Sequence, residues 1–264
     1  GVNYQLMQGA TVMGAPMAGT GYSLDFGAQT AGGTYTVVAT NTTTTCQSTM
    51  LSSALITVNA LPTTYYVVGG GSYCDGGSGV HVGINNSQVG ISYQLMNGTA
   101  TAGSPVIGTG SSLDFGSHTA TGTYTVIATN PATGCTSTMT GTASVSITPL
   151  PVAFTMIGGG NYCTGGTGVV VGLAGSATGV TYQLKIGTTP TGTPVTGTGS
   201  AISFGLQVTP GTYTVEATNT ATGCVNTMTG SAIVTISALP NQYTVGGGGN
   251  YCASTPGVNV TLSN

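Results

Sequence analysis

Apolar and polar residues alternate over short stretches of this chain, and the stretches return at a fixed interval. Val80, Val82 and Ile84 share one face of an extended segment, as do Val169, Val171 and Leu173, while Ala54, Ile56 and Val58 are matched by Ala143, Val145 and Ile147. Between them lie Tyr93 with Leu95, Leu113 with Phe115, and Tyr124 with Val126 and Ala128. A period of two marks strands buried on one face, because successive side chains of an extended backbone point to opposite sides. Clusters of Gly, Asn, Ser and Thr separate the stretches, and none carries a helical period.

The interval is a repeat. Tyr4-Gln5-Leu6 returns as Tyr93-Gln94-Leu95 and Tyr182-Gln183-Leu184, each displaced by 89 residues. Two cysteine series keep the same step, Cys46, Cys135 and Cys224 in one, Cys74, Cys163 and Cys252 in the other. Leu61-Pro62, Leu150-Pro151 and Leu239-Pro240 each close a hydrophobic strand, where proline removes a ladder donor and stiffens the joint. Boundaries at these prolines give a repeat over 1–62 that lacks its first strands, complete repeats over 63–151 and 152–240, and the opening strands of a further repeat over 241–264. The two end pieces are complementary: Asn264 corresponds to Asn86 and Gly1 to Gly90. Such phasing is expected of a window on a continuous periodic chain; a donor-strand polymer, in which one tail completes the next head, is the less favoured alternative.

About seven short strands per repeat, with turn residues every 8 to 12 positions, predict an all-β protein of tandem immunoglobulin-like β-sandwich repeats forming an elongated fibre. A barrel is the less favoured alternative. Gly33-Thr34-Tyr35, Gly122-Thr123-Tyr124 and Gly211-Thr212-Tyr213 stand where such sandwiches place a tyrosine corner, so Tyr35, Tyr124 and Tyr213 are expected to turn a hydroxyl onto nearby backbone.

Small sandwiches gain from a covalent staple. Cys74 with Cys135 and Cys163 with Cys224 are the pairs expected within single repeats, leaving Cys46 and Cys252 to pair beyond the chain ends. One geometric objection keeps a second pairing open. In immunoglobulin strand order the first turn and the last hairpin lie at opposite poles, so Cys74 with Cys224, across two repeats, is the alternative. Regular, even cysteine usage points to an oxidising, extracellular setting.

Composition narrows the function. One basic and four acidic residues in 264 leave no Lys/Arg cluster for nucleic acid and no polybasic patch for an anionic membrane. No run approaches the roughly 18 apolar residues of a membrane span. Net charge near −3 gives little mutual repulsion and favours association.

The repeat also tests each reactive residue, since one that serves every unit should recur at the 89-residue step. His81 is replaced by Val170 and Asn259, His118 by Gln29 and Gln207, and Lys185 by Met7 and Met96. Asp25 and Asp114 meet Ser203, and Glu216 meets Val38 and Ile127. No carboxylate pair or nucleophile and base results, so no catalytic residue, cofactor or metal is expected. The triglycine runs at 69–71 and 158–160 lack the helix and lysine of a phosphate cradle and are expected at strand bends or close backbone approaches.

Gly69-Gly70-Gly71-Ser72-Tyr73-Cys74, Gly79-Val80-His81-Val82-Gly83, Gly122 to Asn130 and Thr133-Gly134-Cys135 resemble the tandem Ig-like repeats, PKD-like and gliding-adhesin-like, of giant secreted cell-surface adhesins of Bacteroidetes. The resemblance covers essentially the whole chain. It implies a very long exported protein displayed on the cell surface and engaged in gliding, attachment or biofilm matrix. The expected role is therefore a structural stalk or filament segment giving reach and mechanical continuity. Its partners would be neighbouring repeats end to end, and laterally in a filament. The alternative is a repeated surface that binds glycan or protein by avidity, for which Tyr73, Tyr162 and Tyr251 are the candidates.

Overall fold

The structure is a computed structural model and describes residues 1–263. Among them every regular element is a strand. The chain divides into two compact units, one of Gly1–Gly70, His81–Ser117 and Gly122–Ser144, the other of Gly71–Val80, His118–Thr121 and Val145 onward.

The second unit contains the whole of the third repeat, which shows the sandwich most completely. One sheet runs Met156–Gly158, Val169–Leu173, Ile202–Gln207, all antiparallel. The other runs Gly160–Cys163, Ala232–Ser237, Gly211–Asn219, Val180–Ile186, with Thr189–Pro190 and Val195–Thr196 on its edge. Gly160–Cys163 lies parallel to Ala232–Ser237, whereas the remaining neighbours are antiparallel. A first strand that starts in one sheet and crosses to pair in parallel with the last strand of the other is an immunoglobulin-like arrangement, and the chain is all-β and Ig-like on this strand order. The expected seven strands are present as ten segments, because the first, the fourth and the last are each broken once.

The break in the first strand falls at Gly159. Its φ is +81°, and a Cβ there would stand 2.7 Å from the Ile233 carbonyl oxygen. The glycine run is thus the crossing point between the two sheets, at a backbone approach that no side chain fits.

Alternation places the core. Val171, Leu173, Tyr182, Leu184, Tyr213, Val215 and Val234 are all but inaccessible, while neighbours such as Val170 and Ile233 face solvent. Each such aliphatic side chain contributes about 1.5–3 kcal/mol by leaving water. Tryptophan is absent from the sequence, and Val215 holds the place two residues after the corner tyrosine where antibody domains carry a cysteine. The core is therefore closed by tyrosines and aliphatics, and the cysteines are left for other work.

In the first unit, Val67–Gly69 pairs with Val82–Ile84, and Ser92–Asn97 with Gly122–Thr129, in the registers of the third repeat. The first repeat contributes a single sheet, Thr11–Ala18, Val2–Gln8, Gly33–Asn41, with Gln47–Thr49 and Ala54–Ile56 alongside. Its counterparts of Leu113 and Phe115, namely Leu24 and Phe26, lie outside any strand and line an open groove with Tyr4, Val37 and Met50. At the other end, Thr244–Gly247 pairs with Val260–Ser263. Val260 and Leu262 are 72% and 65% exposed, where their equivalents Val171 and Leu173 are fully buried.

Candidate functional site

The tyrosines anchor each repeat internally. Tyr35 donates from its hydroxyl to the Ala31 carbonyl at 2.9 Å, and Tyr213 to the Thr209 carbonyl at 2.8 Å, four residues upstream in each case. Tyr124 is equally buried. Burial raises the Tyr213 pKa above its ordinary value, with the bond to Thr209 opposing the rise. A second buried pair escaped sequence reasoning. The Tyr93 and Tyr182 hydroxyls accept from the backbone N–H of Gln88 and Ala177, each at 2.8 Å. Burial raises the Tyr93 pKa as well, against the Gln88 bond and with the nearby Tyr65.

Beside these tyrosines Ser87 and Ser176, the two buried polar residues among those described, each donate to a carbonyl at 2.6 Å, of Ser111 and Ser200, and accept from Thr109 and Thr198 N–H at 3.0 Å. Their recurrence at the 89-residue step was the available signal, hidden by the abundance of serine.

The cysteines form one bond. Cys74 is joined to Cys224, with Cα atoms 5.5 Å apart and 150 residues between them. Cys46, Cys135, Cys163 and Cys252 are free thiols. This replaces the expected pairs within single repeats, Cys74 with Cys135 and Cys163 with Cys224, by the inter-repeat alternative. The register of the sheet gives the reason. Cys163 ends its strand opposite Ser237, while Cys224 sits thirteen residues earlier, in the hairpin before the same last strand. Up to roughly 40 Å of extended chain separates those two ends, and a disulfide needs Cα atoms within about 7 Å.

Both cysteines of the bond are held by local backbone. The Cys74 carbonyl accepts from Gly77 N–H at 2.9 Å, closing a tight turn after the strand Gly71–Cys74, which lies parallel to Val145–Thr148. The Cys224 carbonyl accepts from Asn219 N–H at 2.9 Å, and its own N–H reaches Thr222 Oγ1 at 3.3 Å. Ser72, Tyr73, Thr148, Ala221 and Thr222 line a small cavity together with the two cysteines, and Cys224 is buried. Tyr73, next to the bond, donates its hydroxyl to the Thr119 carbonyl at 2.6 Å, and Tyr162 donates likewise to Val208.

The ionisable residues do not converge. His81 Nδ1 meets Asp114 Oδ2 at 2.7 Å on an exposed sheet face, and Lys185 Nζ meets Glu216 Oε2 at 2.7 Å in the third repeat. Among the described residues no group of three or more His, Cys, Asp or Glu side chains is assembled.

No protein-family model and no curated protein matches the chain. Among solved structures it is similar to the human OSCAR ligand-binding domain, at 14% identity over 66% of this chain and 100% of that one, with a TM-score of 0.30. It is also similar to Sidekick-1 immunoglobulin domains 1-4, at 13% identity over 92% and 68% of the two chains, TM-score 0.25. Sidekick-1 domains 1-5 give 12% identity, 92% and 54% coverage, and 0.24. Scores at this level carry no weight, and the Ig-like assignment rests on the strand order above.

Proposed function

We propose that this chain is a structural segment of an extracellular repeat array, a stalk or filament of the bacterial surface-adhesin kind, whose work is reach and mechanical continuity. The Cys74–Cys224 bond carries the reading. Its cysteines belong to consecutive repeats, so tension along the chain is borne by a covalent bond as well as by the linker at Leu150-Pro151. A bond of this kind is typical of an oxidising compartment. The hydroxyls of Tyr73 and Tyr162 are spent on backbone carbonyls, which weakens the alternative of a tyrosine-rich glycan-binding face.

Small-angle X-ray scattering of the 264-residue chain tests the reading. A serial array gives a radius of gyration well above the roughly 18 Å of one compact globule of this length. A value near that figure would refute it, and saturable binding on a glycan array would restore the adhesive alternative.

A further inference from the structure

Three of the four free thiols are built as the bonded pair is built, and the fourth, Cys252, keeps the tight turn alone, its carbonyl accepting from Thr255 N–H at 3.1 Å. Cys163 ends a strand parallel to Ala232–Ser237, as Cys74 does beside Val145–Thr148. Its carbonyl accepts from Gly166 N–H at 2.8 Å, and the next N–H, of Thr164, donates to Ser237 at 2.9 Å, reproducing the bond from Asp75 to Thr148. On the hairpin side the Cys135 and Cys46 carbonyls accept from Asn130 and Asn41 N–H, both at 2.9 Å, as Cys224 accepts from Asn219. Cys46, Cys163 and Cys252 are exposed and Cys135 is half-exposed, whereas Cys224 in its bond is buried. A 150-residue step forward from Cys163 or Cys252 leaves the 264 residues, as does a step back from Cys46 or Cys135.

We infer that Cys74–Cys224 is one rung of a periodic disulfide ladder in which the turn cysteine of each repeat bonds the hairpin cysteine of the next, and that Cys163 and Cys252 on one side and Cys46 and Cys135 on the other are its open rungs. The partner is another repeat of this kind, whether it continues the chain or belongs to a second copy. Cysteines of each class are spaced by the same 89 residues, so one neighbour in phase closes two rungs together. The open groove beside Leu24 and Phe26 and the exposed Val260 and Leu262 favour the same neighbour, since both are surfaces that a sandwich of this sequence covers. Each rung forms by oxidation of two thiols: oxidised glutathione, as the disulfide oxidant, takes up the two electrons and two protons and leaves as two reduced molecules. The inference deepens the array reading and rests on it for the partner alone.

The test has two arms, each refolded in a glutathione redox buffer and mapped by peptic digestion and mass spectrometry without reduction. In the first, the 264-residue chain alone is expected to give oligomers linked by Cys163–Cys46 and Cys252–Cys135 peptides, and Cys46→Ser to remove the first link while leaving the second. In the other arm, two copies are joined through Ser-Gln-Val, the residues that fill the corresponding gap at 87–89. The same two links are expected there within one chain. Links in the joined chain with monomers in the first arm assign the neighbour to a continuing chain and support the ladder. Bonds within single repeats in the joined chain, or four thiols per copy still open to alkylation, overturn it. Scattering from the same samples separates that failure from failure of the array reading, because an extended particle without rungs would leave the array standing.

Discussion

Cys163 stands in parallel register with Ser237, and that places it at the far end of its own last strand from Cys224. The pairing across repeats follows. A turn cysteine has no partner within its own sandwich, and Cys74 finds one in the hairpin of the next repeat.

Cys74→Ser or Cys224→Ser is expected to lower the final thermal transition, by up to about 5 kcal/mol for a closed loop of this length in the chain-entropy model. In the monomeric chain, whose Cys135 thiol is open, Cys135→Ser should leave the transition within about 2 °C, as expected of a change that disturbs no bond or core contact. Calorimetry under non-reducing conditions checks both, and equal losses for Cys135 and Cys224 would contradict the connectivity.

Tyr182→Phe keeps the ring and strands the Ala177 N–H. A fully buried donor left without its acceptor costs about 1–3 kcal/mol, and this part-buried one should cost less, so the denaturant midpoint should fall modestly while the fold is kept. An unchanged midpoint would show that the bond contributes nothing.

Tyr93 and Tyr213 hold their protons more tightly folded than unfolded. Their contribution is fully present below the unfolded tyrosine pKa, near 10, and is lost as pH rises through the higher folded values. Stability of the thiol-alkylated chain should therefore decline above about pH 10, as read by urea denaturation across that range. A flat profile would contradict the two pKa shifts.

Lys185 and Glu216 form an ion pair where the other repeats carry Met7 with Val38 and Met96 with Ile127. Breaking the pair singly, by Lys185→Met or Glu216→Ile, should destabilise more than making both changes, with a coupling of about 0.5–1 kcal/mol for a partly exposed pair. A double-mutant cycle on thermal midpoints measures it, and strict additivity would mean that the pair is idle.

Gly159→Ala is expected to cost more than the roughly 1 kcal/mol of an ordinary glycine substitution, because both the positive φ and the Ile233 carbonyl oppose a Cβ. Gly165→Ala, with a positive φ but open space, is the comparison that isolates the contact. Equal losses would assign the whole effect to φ.

Much of this was legible in the residues. Val171, Leu173, Tyr182 and Leu184 alternate as buried strands must, and the turn chemistry between them leaves no room for a helix. The 89-residue step made the repeat certain, because it rests on identity of residues and not on any contact. Strand continuity was less readable: whether Met156 to Cys163 is one strand or two depends on Gly159 meeting Ile233, more than seventy positions away. The buried Ser87 and Ser176 were hidden for a related reason, since burial of a serine is set by the carbonyl that receives it.

The sequence by itself determined the all-β class, the repeat and the identity of the core faces, because period and spacing are properties of neighbouring residues. Tertiary structure decided which cysteine meets which. Both the pairing within a repeat and the pairing across repeats satisfy the same spacing, and the choice turned on the parallel register that sets Cys163 beside Ser237, a relation that arises when distant strands align in one sheet.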